Sequence, residues 1–275
     1  MSTVISKQFQ WSRSLADWYL GTVGFSYKDW DGVFYPPGIP SRSYLAHYSQ
    51  IFNAVELDST FYGTPPAARV RQWAAVVPPG FKFCPKTPRQ ITHDMRLVNT
   101  GDLMQLYLET MQLLDEHLGA ILIQLPPSFA AAEFDTVATF LAGLPVGLQY
   151  AIEFRHPSWF TYQTAALLKA HNVCWTSTAY LDLPKQIALT TNFHYIRWLG
   201  RHGQFERKTH EQTDVTPELA WWWENIQPNL ERANTVYGFF NNDFSGHSPA
   251  TCNRFKDIVG LPTIYPQIPQ QGTLF

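Results

Sequence analysis

The sequence is short of cysteine, of charge and of long apolar runs. Its three cysteines, Cys84, Cys174 and Cys252, are far apart in the chain. Such an odd, scattered set argues against a disulfide framework or a CxxC metal knuckle and fits reduced thiols. Charged residues make up 15% of the chain and the formal net charge is −2. That balance argues against a broadly basic nucleic-acid-binding surface and leaves little solvating, disordered chain. No stretch approaches the ~20 apolar residues of a membrane span. The opening MSTVISKQFQWSRSLADW lacks the apolar run of a signal peptide. A cytoplasmic protein with no membrane partner is expected. The GxSxG elbow, the Walker GxxxxGK[ST] loop and the GxGxxG fingerprint are also missing. Serine hydrolase, P-loop NTPase and Rossmann dehydrogenase readings lose support with them.

What is present is an ample core: 45% of the 275 residues are hydrophobic and 15% aromatic. Eight β-rich runs stand out: Tyr19–Phe25, Ala54–Leu57, Phe81–Pro85, Ala120–Leu125, Gln149–Phe154, Val173–Thr176, Phe193–Trp198 and Thr235–Asn241. Helical patterns separate most of them. The clearest is Asp102–His117, with Leu103, Leu106, Tyr107, Thr110, Leu113 and Leu114 on one stripe. Arg69–Ala75, Asp135–Leu141, Tyr162–His171 and Pro217–Ala233 are weaker, and Pro228 should kink or end the last. The stretch between the sixth and seventh runs is too short for more than a turn of helix. Alternating strand and helix imply parallel strands and crossovers. Eight of them predict one (β/α)8 TIM-type barrel over 18–261, with an N-terminal extension, 1–17, and an extended proline-containing tail, 262–275. A doubly wound open sheet is the alternative.

Alternation along a strand sorts the side chains into two faces. Val55 and Leu57 oppose Glu56 and Asp58. Phe81 and Phe83 oppose Lys82, Cys84 and Lys86. Ile121, Ile123 and Leu125 oppose Gln124, and Ile152 and Phe154 oppose Glu153 and Arg155. With the apolar faces under helices, the polar ones point inward, near the carboxyl strand ends where barrels hold their sites. The same logic adds Arg197 and Asn241. The assembled group is Glu56, Asp58, Lys82, Lys86, Gln124, Glu153, Arg155, Arg197 and Asn241. Glu56 or Glu153 is expected as a general acid/base, and the cations as holders of a small anion or nucleic-acid fragment. The plain alternative is internal neutralisation of the carboxylates.

The chain resembles the YecE-like family, domain of unknown function seventy-two. The resemblance is carried by GTVGFSYKDWDGVFYP (Gly21–Pro36), FNAVELDSTFYGTP (Phe52–Pro65), PPGFKFCPKTPRQITHD (Pro78–Asp94), ILIQLPPSF (Ile121–Phe129), AIEFRHPSW (Ala151–Trp159) and FFNNDFSGHSP (Phe239–Pro249). It implies a TIM-type barrel and supplies positions, not a reaction. Two departures stand out: Asp58 where the family commonly has Asn, and Arg197-Trp198-Leu199-Gly200 where it commonly has Arg-x-His-Gly. The second weighs against a mechanism needing an imidazole at that place.

His156 is a further substrate-binding candidate, with hydrogen bonding to its own loop as the simpler role. Tyr62, with Tyr27 and Trp30, is expected to wall the site; the other aromatic clusters suit packing. No cofactor is expected. A divalent metal is left open, on Glu56, Asp58, Glu153, His156, Asp243 or His247, though none has HExxH, CxxC or facial-triad spacing. The last five residues, QGTLF, resemble the peptide by which bacterial repair and replication proteins dock on the DNA sliding clamp. Gln271, Leu274 and Phe275 match it, and Gly272 departs from it. Two functions follow: an enzyme acting on an anionic substrate, or a non-catalytic binding protein linked to replication or repair through its tail.

Overall fold

Short runs of β-branched and aromatic residues, bounded by Gly, Pro and Asn, become parallel strands. The computed structural model describes residues 16–266. Among them lie nine strands: β1 (Asp17–Val23), β2 (Ala54–Leu57), β3 (Lys82–Pro85), β4 (Ile121–Gln124), β5 (Tyr150–Glu153), β6 (Cys174–Trp175), β7 (Ser177–Ala179), β8 (Phe193–Trp198) and β9 (Thr235–Phe240). Six of them form a sheet in the order β3-β2-β1-β9-β8-β7, and β4-β5-β6 form a second. Every pairing is parallel. The protein is an α/β fold with parallel sheets.

The first strand lies between β2 and the last strand, β9, pairing with the latter from Asp17↔Thr235 to Thr22↔Phe240. Two isolated parallel bridges, Phe83↔Leu118 and Lys86↔Leu122, tie the β3 edge to the β4 segment. Thr176 alone separates β6 from β7, and its N–H donates to Ile152 O at 2.9 Å. The sixth run was expected to end at Thr176. It continues instead into β7, whose Ser-Thr-Ala sequence carries no apolar signal.

The helices are α1 (Tyr44–Tyr48), α2 (Ala67–Val76), α3 (Gly101–Met111), α4 (Phe134–Ala142), α5 (Tyr162–Ala170), α6 (Thr216–Ile226), α7 (Asn242–Ser245) and α8 (Ser248–Val259). No helix forms in 180–192, the stretch too short for one. The Asp102–His117 pattern is α-helical only to Met111; a 3-10 segment follows, broken at Asp115, where φ is 51°. Its buried stripe is Met104, Tyr107, Leu108 and Met111, while Leu106 is 59% exposed. Both stripes have helical spacing, so periodicity could not choose; packing did. Pro228 falls in the 3-10 turn that closes α6. The sequence reading missed α8. Its signals were Pro249 in the first turn, buried Cys252 and Phe255, and Gly260 at φ 78° just past the end.

Two apolar groups follow from strand alternation. Val55, Leu57, Phe81, Phe83, Ile121, Ile123 and Ile152 join the helices in the main core. On the other face Ala54, Cys84, Ala120, Leu122, Ala151, Cys174, Tyr195 and Phe239 form a smaller core made almost wholly by strands. All three cysteines are free and buried. No helix of the described residues is long and apolar enough to cross a membrane.

Candidate functional site

The polar cluster stands at the carboxyl ends of β2, β5 and β8, on the same face as the strand-only core. Tyr195 and Arg197, two residues apart on β8, point the same way. Arg197 presents its guanidinium fork to Glu56 on β2: Nε to Oε2 at 2.9 Å and Nη2 to Oε1 at 2.7 Å. Its third nitrogen, Nη1, reaches Glu153 Oε2 on β5 at 2.5 Å. Arg155 Nε donates to Glu153 Oε1 at 2.7 Å, and Tyr195 Oη donates to Glu56 Oε2 at 2.9 Å. Every carboxylate oxygen of Glu56 and Glu153 is therefore engaged, and both residues are fully buried. Arg197 joins the six-stranded sheet to the three-stranded one. Such a network is stable because each charge is matched with good hydrogen-bond geometry.

The protonation states follow from that matching. Burial pushes the Glu153 carboxyl up, but Arg197 and Arg155 outweigh it and hold it at about 2. Burial likewise opposes the Arg197 charge, yet Glu153 and Glu56 raise its pKa above the ordinary arginine value. A carboxylate so strongly ionised, with both oxygens occupied, is a poor general base near neutrality.

Lys86 and Asp58 lie outside the network. Lys86 follows β3 and is 9% exposed. Among the described residues its ammonium makes no hydrogen bond or carboxylate pair; the face of Phe61 lies 4.0 Å away. Burial, then the charge of Arg197, lowers its pKa to about 8. Asp58 opens the 3-10 turn Asp58–Tyr62 and makes no direct ion pair among the described residues. Burial, then Glu56, raises its pKa. Arg155 spends only Nε on Glu153, and its guanidinium stacks 4.2 Å from the centre of the Tyr180 ring. Phe61 and Tyr180 thus cap the two cations that have unused capacity.

The remaining expected residues are dispersed. Gln124 pairs in register with Glu153 on the same face, but its side chain donates to Leu125 O. Asn241 caps α7 by accepting from Asp243 N at 2.9 Å. His156 accepts from Ser158 N and contacts Ser158 Oγ, the simpler of its two expected roles. Three placements need correction. Lys82 has the right alternation but the wrong end: it opens β3 beside Ala54, where Nζ donates to Glu116 O and lies 5.9 Å from the centre of the Tyr19 ring. Alternation fixes a face and says nothing about height along the strand. Tyr62 is 85% exposed and lines a surface cavity instead of the charge cluster; the ring over Lys86 is its neighbour Phe61. Trp30 is wholly buried, donating to Asn242 Oδ1, so it is core and not wall. No group of three or more His, Cys, Asp or Glu suited to a metal ion occurs among the described residues. Gln271, Leu274 and Phe275 lie outside them.

The sequence reading also passed over site residues. Tyr195 shares a face with Arg197 and was accessible to the alternation rule. Thr60, Phe61, His93 and Tyr180 were not, because turns and loops deliver them. His93 packs edge-on to Phe61 at 4.9 Å between centroids. Burial, then Lys86, lowers its pKa to about 4, so it is neutral. Leu199, at the place where a histidine was expected by resemblance, joins the strand-only core.

The family model described as "Protein of unknown function DUF72" matches residues 19–272. The chain belongs to the DUF72 family. Among DUF72-type relatives it is 33% identical to the UPF0759 protein YecE of Escherichia coli, over 94% of this chain and 99% of that protein. It is 30% identical to the UPF0759 protein YunF of Bacillus subtilis, over 88% and 95%. A DUF72 crystal structure from Thermotoga maritima superposes with a TM-score of 0.75 at 27% identity, covering 89% of this chain and 99% of that one. Another, from Enterococcus faecalis, gives 0.73 at 23% identity and so bears on the fold alone.

Proposed function

We propose that the two sheets close into one (β/α)8 barrel, and that the carboxyl-end cluster is an active site for a small anionic substrate. Closure is supported by the β1–β9 pairing, by the bridges between β3 and β4, and by Arg197 spanning β2 and β5. The observation that carries the functional reading is Lys86: a nearly buried ammonium with no carboxylate pair among the described residues, beside a network in which Glu56, Glu153 and Arg197 are all paired. An unpaired buried cation is costly to folding, and sites of chemistry are where such costs persist. The acid/base role expected of Glu56 or Glu153 passes in this reading to Lys86, poised near neutral pH. Glu56 and Glu153 instead orient Arg197 and Arg155. The free Nη groups of Arg155 and the Lys86 ammonium hold the anion, each contact being worth about 1.5–3 kcal/mol.

The test is a thermal-shift and calorimetric titration with small carboxylates and phosphates. Wild type should bind at least one class, with affinity falling about tenfold or more in Arg155→Met and Lys86→Met. Unchanged binding in both variants removes the anion site.

A second reading rests on the Gln-x-x-Leu-Phe match of Gln271, Leu274 and Phe275. In it the tail docks the protein on a DNA sliding clamp, with Leu274 and Phe275 as apolar anchors.

A further inference from the structure

Lys86 is not only unpaired but held in place. Thr60 Oγ1 accepts from Lys86 N at 3.0 Å and donates to Lys86 O at 2.6 Å. On the other side Thr87 N donates to Leu122 O at 2.8 Å. The backbone that projects the amine is thus fixed by β2's following turn and by β4, a preorganised support for a reacting group. Phe61 covers the amine and also lines a surface cavity of about 220 Å³ with Gly63, Pro88, Arg89 and Leu103. The Phe61 ring thus touches both the amine and that cavity. Arg155, on the strand-end side, has two terminal amino groups that bond to nothing else among the described residues.

A desolvated amine beside a free guanidinium fork is suited to a ligand with a carbonyl and an anionic group on neighbouring atoms. We propose that Lys86 condenses with the carbonyl of a small oxo acid to form an imine, while Arg155 holds the acid's carboxylate. This rests on the reading of the strand ends as an anion site and names its substrate class. The Lys86 Nζ lone pair attacks the carbonyl carbon, forming the C–N bond as the carbonyl π pair moves to oxygen. One proton passes from nitrogen to that oxygen, giving a carbinolamine. A second proton reaches the same oxygen, the C–O bond breaks and water leaves, completing the C=N bond. No oxidant or reductant is consumed. Two properties favour the step. Burial leaves a sizeable share of Lys86 neutral near pH 7–8. The second proton is delivered by Asp58 or by water: burial and Glu56 raise the Asp58 pKa, against the opposing charges of Lys86 and Arg197.

The experiment uses the full chain with glyoxylate or pyruvate and sodium cyanoborohydride, which reduces an imine to a stable secondary amine. Intact mass and peptide mapping locate the adduct. The expected result is one saturable adduct on Lys86, formed about tenfold or more faster at pH 7.5 than on exposed lysines. It should be slowed by lactate, which has the carboxylate without the carbonyl, and accelerated in Phe61→Ala. Lys86→Arg keeps the charge and should lose the adduct while still binding lactate. If Lys86 stays unlabelled while lactate or phosphate binds in an Arg155-dependent way, imine formation is overturned and the anion site stands. If neither labelling nor binding occurs, both readings fall. Equal labelling of Lys86 and of surface lysines also overturns the proposal.

Discussion

Replacing Lys86 by methionine should make the protein more stable, not less. The side chains have similar length, and methionine adapts readily to apolar surroundings. In the folded state the ammonium is desolvated and faces Arg197, so its pKa falls from 10.5 to about 8. Each tenfold change in proton affinity is worth about 1.4 kcal/mol, so the fall corresponds to about 3 kcal/mol of penalty. The contact with Phe61 offsets some of this, by about 1 kcal/mol. A net gain of about 1–2 kcal/mol is expected for Lys86→Met at pH 7. The pH dependence has a definite sign. Well below pH 8 the amine is protonated folded and unfolded, so the penalty is fully present. Between about 8 and 10.5 the folded protein releases its proton first, so wild type gains stability as pH rises. The advantage of methionine should therefore shrink from pH 7 to pH 10. Urea unfolding of both proteins at pH 7, 8.5 and 10 measures it. A variant destabilised by 1 kcal/mol or more at every pH would mean that Lys86 serves as a counter-ion of Glu56 and Glu153. The argument for a reactive amine would then fail.

Arg197→Met should cost about 3–5 kcal/mol, because it strands two buried carboxylates, with Arg197→Lys between it and wild type; a loss under 1 kcal/mol in urea would contradict the network. Glu153, held at about 2, adds stability above pH 4.5 that is lost as pH falls through 2, about 3 kcal/mol in all. Glu153→Gln should be less stable at pH 7 but show a flatter acid limb, and parallel acid titrations would refute this. For the tail, purified sliding clamp should bind wild type and lose Leu274→Ala/Phe275→Ala by calorimetry; equal binding by both means that the QGTLF match is accidental.

Periodicity and alternation, local properties of the chain, determined much of this protein. They located every strand but β7 to within a few residues and separated Val55 and Leu57 from Glu56. They also turned Lys86, Gln124, Glu153 and Arg197 towards the second face. The carboxyl end as the place of the candidate site followed from parallel strands alone. Height along a strand is a matter of register between strands, and only the tertiary structure fixes it. Hence Lys82 and Lys86, alike in alternation, lie at opposite ends of β3. Side-chain pairing across strands, 44 and 141 residues apart, is equally invisible to a local pattern. It decided that Glu56 and Glu153 spend their oxygens on Arg197 and Arg155, leaving Lys86 and Asp58 as the uncommitted charges. Phe61 and Tyr180 entered the site through turns whose paths no periodicity encodes. A sequence specifies which face a side chain takes because that depends on one backbone. Which charge it meets depends on two, and packing alone brings them together.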